Sequence, residues 1–212
     1  MTAFHSNTLV LCFLALSFTG CAAFKTQNTP STTTTASEAA ILHAHHMVLV
    51  SNIEQFSITG RLGVTTHPKG FSGRVAWQHK ADGDNIDIFS PIGGKVAHII
   101  KTDDQILLTN SKNETITAPD AETLTAQSLG FKLPLSGLSY WALGQPSTIG
   151  LAAYITWDDE GRIQHLKQDG WDITYRDYVF NDGYFLPKKI TLRSDELIIK
   201  LIVEQWSDLQ SR

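Results

Sequence analysis

From Phe56 onward the chain alternates with a period of two, and this excludes most architectures. Phe56, Ile58, Gly60, Leu62 and Val64 interleave with Ser57, Thr59, Arg61, Gly63 and Thr65. Phe71, Gly73, Val75 and Trp77 do the same against Ser72, Arg74, Ala76 and Gln78. Successive side chains of a strand point to opposite faces, so each run carries one apolar and one polar face. His67-Pro68-Lys69-Gly70 between them is turn chemistry and makes the two runs a hairpin. Asp82-Gly83 leads into a strand at Asn85 to Phe89; Ser90-Pro91-Ile92-Gly93-Gly94 breaks the pattern and Lys95 to Lys101 resumes it. Gln105 to Thr109 and Glu114 to Thr117 are short strands, and later ones follow at Tyr154 to Trp157, Arg162 to Lys167, Trp171 to Phe180, Leu186 to Leu192 and Leu197 to Trp206. About eleven strands in hairpin order predict a mainly β fold, an antiparallel meander rolled into a curved sheet.

Two helical segments interrupt it midway, and one helix precedes it. Pro119-Asp120 opens one, with Leu124 and Leu129 apolar and Gly130 as its C-cap. Another follows Pro134, with Leu135, Leu138, Trp141, Ala142 and Leu143 largely on one face and Gly144-Gln145-Pro146 ending it. Ser37 reads as the N-cap of a first helix running to about Ser51, with Ile41, Ala44, Met47 and Val48 as its apolar stripe. Helices set against the inner face of the sheet would meet Phe56, Ile58, Leu62, Val75, Trp77, Ile86 and Ile88, with Trp157, Ile173, Leu197 and Leu201 further on. These residues, with Leu138 and Trp141, either fill a core or line a cavity for acyl chains, and periodicity does not separate the two.

The N-terminus sets the location. Leu9 to Cys21 is an apolar run of signal-peptide length, short of the roughly 20 residues a spanning helix needs. It ends in Thr19-Gly20-Cys21, the lipobox pattern of bacterial lipoproteins, although Phe18 stands where Leu is commonest and no Lys or Arg precedes the run. Residues 1–20 are expected to be a signal peptide and Cys21 the lipidated N-terminus. Residues 21–37, with the polar Thr29-Pro30-Ser31-Thr32-Thr33-Thr34-Thr35, are expected to be a tether, and residues 38–212 the domain. The competing readings are an ordinary signal peptide and a short buried strand that happens to contain a cysteine. Three acyl chains, at about 0.8 kcal/mol per buried methylene, would hold the protein almost permanently. Ala22 and Ala23 carry no acidic side chain, which by resemblance to enterobacterial sorting points to the periplasmic face of the outer membrane.

The chemistry is sparse. The only cysteines are Cys12 and Cys21, so the exported domain has no disulfide and no thiolate metal site. A net charge of −4 with scattered Lys and Arg argues against nucleic acid. His43 and His46 could offer two ligands at i, i+3, but no carboxylate completes a set, and solvated helix histidines are the favoured reading. Carboxylates gather in turns, as at Asp82/Asp84, Asp103/Asp104 and Asp158/Asp159/Glu160, where they serve turn geometry and solubility. No catalytic constellation and no cofactor are expected, which makes an envelope hydrolase the weakest reading. Ile92 is unusual, because an apolar side chain sits in a turn between Pro91 and Gly93; either it projects there or the loop folds back and makes it core.

In order and spacing the lipobox, Phe89-Ser90-Pro91-Ile92-Gly93, the run from Leu133 to Pro146 and the segment Ile198 to Trp206 resemble the LolB family of outer-membrane lipoprotein receptors. The resemblance covers about Ile53 to Trp206. It implies an unclosed antiparallel half-barrel of eleven strands, with helices over a concave apolar face. It also implies the function: taking acylated lipoproteins from a soluble, LolA-like periplasmic carrier and placing them in the outer-membrane bilayer. The family's membrane-inserting loop then falls on Pro91, Ile92 and Gly93, with Ile where Leu is usual. A monomer without cofactor is expected. The alternative from a different class is a lipid-anchored envelope scaffold with a solid core and no acyl cavity.

Overall fold

The computed structural model describes residues 36–212 except 67, 68, 119, 149 and 151. The expectations for the signal peptide, Cys21 and most of the tether lie outside the described residues. The first and last strands are neighbours: β1 (Ile53–Thr66) runs antiparallel to β11 (Leu197–Ser211), from Ile53 opposite Ser211 to Thr66 opposite Leu197. The other strands are β2 (Gly70–Lys80), β3 (Gly83–Phe89), β4 (Lys95–Lys101), β5 (Ile106–Asn110), β6 (Thr115–Thr117), β7 (Ala152–Trp157), β8 (Ile163–Gln168), β9 (Trp171–Asn181) and β10 (Tyr184–Arg193). They form one sheet of eleven strands in the order β6-β5-β4-β3-β2-β1-β11-β10-β9-β8-β7. The single expected meander is therefore two meanders joined by the β1–β11 pair.

That pairing depends on a glycine. A Cβ on Gly60 would lie 2.2 Å from the carbonyl oxygen of Ile202, at the register shift between Thr59 and Gly60. Only a residue without a side chain lets the two backbones approach so closely. With β6 and β7 at opposite edges the half-barrel stays unclosed, and the chain must cross from edge to edge between them. The crossing carries α2 (Ala121–Leu129) and α3 (Leu135–Ala142) over the concave apolar face. Asp120 caps α2 by accepting the Thr123 N–H at 2.7 Å, and Gly130 ends it in the left-handed conformation, φ 80°.

The first helix, α1 (Ala36–Ser51), is turned differently from expectation. It starts before Ser37, and Ile41 (66 % exposed) and Val48 (60 %) face solvent, while His46 (6 %) and Val50 are buried. The cause lies in the β7–β8 turn. A Cβ on Gly161 would meet the Leu42 carbonyl carbon at 2.4 Å and the His43 nitrogen at 2.5 Å, so α1 presses its backbone onto this residue. His43 donates from Nδ1 to the Gly161 carbonyl at 3.2 Å and stacks on Trp157 at 4.1 Å. Solvated histidines were expected; His46 is instead enclosed beside Tyr178. Its pKa falls to about 4, chiefly by burial and next by the nearby Arg162 charge. Trp157, expected on the concave face, is exposed and serves α1.

Candidate functional site

Between the sheet and α3 lies a cavity of about 40 Å³. Leu62, Val75, Trp77, Ile86, Ile88, Leu138 and Trp141 bound it, all named from the sequence. Phe56 and Ile58 are not among the bounding residues; they are buried in the core, Phe56 edge-on to Trp77 and Trp206. Leu133 and Ala142 complete the helical side and Ile190, Leu192, Ile199 and Leu201 the far wall. Most of that wall was missed by the sequence reading, although the alternation of β10 and β11 carries the signal.

Two tryptophans could have put polar atoms into this space. Neither does. Trp77 Nε1 donates to Asp84 at 2.9 Å, and Trp141 Nε1 donates to Gln168 Oε1 at 2.9 Å, so both indoles turn only carbon towards the cavity. Asp84 is buried and also accepts from His79 Nδ1 at 2.7 Å, with Lys101 Nζ at 3.4 Å. Burial pushes its carboxyl up, but the hydrogen bonds from His79 and Trp77 and the Lys101 charge outweigh it, and the pKa lies below the ordinary range. Gln168 also accepts the Ser147 N–H at 2.8 Å and donates to the Ser147 carbonyl at 2.9 Å, which clamps the end of the helical crossing onto β8. Asp84, expected among the solvated turn carboxylates, is instead buried on β3 because Trp77, His79 and Lys101 supply its partners, and Gln168 carries no periodic signal in the sequence.

Gly137 explains the lie of Trp141. A Cβ there would sit 2.6 Å from the Trp141 ring, so the glycine leaves the groove along which the indole folds back over α3. Leu135 is buried and Leu138 half-buried on the same crossing.

Ile92 is 97 % exposed, at the tip of a tight turn. Ser90 N–H donates to the Gly94 carbonyl at 2.8 Å, Gly93 N–H to the Ser90 carbonyl at 2.9 Å, and Gly94 N–H to Ser90 Oγ at 3.2 Å. Gly93 takes φ 96°, which an L side chain rarely adopts. Pro91 and Gly93 are exposed with it, and the three closing bonds keep the isoleucine projecting. Pairing of Arg74 with Phe89, Thr65 with Gly70 and Thr66 with Leu197 puts this turn at the β1–β2 hairpin end of the sheet.

Residues 54–206 match the family model "Outer membrane lipoprotein LolB". An outer-membrane lipoprotein LolB of Nitrosomonas europaea is 36% identical over 157 residues, covering 72% of this chain and 73% of that protein. One from Thiobacillus denitrificans is 33% identical over 153 residues, with 72% and 80% covered. A third, from Pseudomonas fluorescens, is 28% identical over 203 residues and covers 96% of both chains. With the match spanning β1 to β11, this chain belongs to the LolB family of outer-membrane lipoproteins.

Proposed function

We propose that the chain is an outer-membrane receptor that accepts acylated lipoproteins from a soluble periplasmic carrier and passes them into the bilayer. The observation that carries this reading is a cavity walled by carbon alone, in a chain whose relatives are outer-membrane lipoproteins. Acyl chains are costly in water, so cargo must move from one dry site to another without release. Transfer without an energy source runs downhill when the receptor binds more tightly than the carrier, and the bilayer more tightly still.

At about 40 Å³ the cavity is too small for an acyl chain. A cavity of about 150 Å³ holds benzene, so an acyl chain requires α3 and its linker to lift from the sheet. So small a resting cavity keeps the apolar wall dry between cargoes. Cys21, acylated, holds the domain on the periplasmic face of the outer membrane, and the exposed Ile92 turn touches the bilayer at delivery. One chain acts alone, as a monomer.

The test is transfer of radiolabelled lipoprotein from its loaded carrier to the full chain in liposomes. Label should leave the carrier, appear on the receptor, and then move to lipid. A chain that takes no label, and shows no saturable displacement of a fluorescent fatty acid, is instead a lipid-anchored scaffold with a solid core. Palmitate labelling in cells should mark the wild type and spare Cys21→Ala.

A further inference from the structure

A second apolar space lies at the root of the Ile92 turn. It has a volume of about 290 Å³ and is bounded chiefly by Val64, Phe71, Val96, Leu129 and Phe131, with the polar Thr66, Lys69 and Ser128 also in its wall. It is several times larger than the central cavity. On the scale on which about 150 Å³ admits benzene, it has room for roughly ten carbons. Phe71, Val96, Leu129 and Phe131 are only half-buried, so a ligand here would bury apolar surface now in contact with water.

Val96 reaches this space through a defect in the sheet. Ile88 pairs with Ala97 but Phe89 pairs with Lys95, so Val96 is the extra residue of a β-bulge. Ala97 and Ile99 hold the buried positions of β4, and strict alternation would turn Val96 to the other face. The bulge re-aims it into the recess, four positions after Ile92. Ser128 adds a polar handle: its hydroxyl is buried and finds no partner among the described residues. An ester or amide carbonyl at the head of an acyl chain would accept from it.

The recess continues into the cavity along two paths. On β1, Val64 bounds the recess and Leu62 the cavity, the same face roughly 7 Å apart. On the α2–α3 linker, Phe131 bounds the recess and Leu133 the cavity. Leu133 is pinned by its N–H donating to Thr125 Oγ1 at 2.9 Å, whereas Phe131 lies before that anchor. The Gln168 clamp holds the far end of the crossing. The recess side is thus the end at which the linker can yield.

From this geometry we propose that the recess is a separate first station for one acyl chain of the cargo, occupied before the central cavity opens and again as the chain leaves towards the membrane. The proposal rests on the receptor reading. A chain seated against Val96 and Phe71 displaces Phe131, and the linker then parts from β1 between Val64 and Leu62. The same station, beside Ile92, gives the departing chain an apolar path to the bilayer.

The test uses the full lipidated chain in phosphatidylcholine liposomes and a photoactivatable palmitate with a diazirine at its terminal carbon. Crosslinks are mapped by mass spectrometry early after mixing and again at equilibrium. Early crosslinks should fall on Val64, Phe71, Val96 and the segment Leu129 to Phe131, and equilibrium ones should add Leu62, Leu133 and Ile199. Val96→Trp, which fills the recess with carbon, should cut the early crosslinks about tenfold. Crosslinks confined at all times to the central cavity, or unchanged by Val96→Trp, overturn the station and leave the receptor reading standing. No saturable crosslink at either place overturns both.

Discussion

Trp77 gives its indole N–H to the buried Asp84 at 2.9 Å while its ring walls the apolar cavity. One residue thus joins a polar cluster to a dry surface, and the carboxylate decides which way the indole faces. Asp84→Ala leaves Trp77 and His79 without their acceptor and should cost about 3 kcal/mol. That lowers the melting temperature by roughly 6–12 °C. Asp84→Asn keeps an acceptor for the indole and should cost less. Thermal unfolding followed by tryptophan circular dichroism checks both; a melting temperature unchanged in Asp84→Ala would show that the cluster does not set the wall.

Ile92 is almost wholly exposed, so its substitution should leave the fold alone. Ile92→Glu is expected to melt within about 0.5 kcal/mol of wild type and to take cargo from the carrier normally. Delivery into liposomes should fail, because an apolar contact of about 1.5–3 kcal/mol is lost. Ile92→Leu should deliver normally. Melting and delivery measured on the same preparation decide it, and full delivery by the Glu variant sinks the insertion role.

His46 makes α1 sensitive to acid. Its pKa is about 4 folded against 6.5 for a free histidine, so between these values the unfolded chain binds the additional proton. Stability is therefore complete above about pH 6.5 and is lost as pH falls towards 4, by up to about 3 kcal/mol. Urea unfolding at pH 7 and pH 4.5 should show the loss, and His46→Leu should remove most of it. An equal slope in that variant would refute the assignment.

Gly161 sits at φ 79° with the α1 backbone against it. Gly161→Ala adds a Cβ that meets main-chain atoms, which cannot swing aside as a side chain could. Strain of about 1–3 kcal/mol, plus the displaced helix, is expected. Hydrogen exchange should accelerate along α1 while the β1–β11 ladder keeps its protection. Uniform exchange across both would mean that α1 is not held at this point.

Some of this was legible residue by residue. The limits of β4, Lys95–Lys101, follow from alternation and turn chemistry alone, and Gly130 ends α2 as its position suggests. Alternation is local, since the pleat gives each side chain its face without reference to distant chain. The orientation of α1 was not legible, because it carries apolar residues all round, and the face that turns inward is chosen by Gly161 on a turn far along the chain.

The sequence by itself determined the strands, their turns, the helical segments and the apolar residue set in the turn at Ile92, because each depends on neighbours a few positions away. Only the tertiary structure decided that β1 pairs with β11, where Arg61 meets Glu204 across 143 positions. The same holds for the Asp84 and Gln168 ties that turn two indoles carbon-side inward, and for the volume left between sheet and helix. Pairing, tie and volume are set by mutual packing of residues remote in sequence, and a residue's own type does not encode which distant surface it will meet.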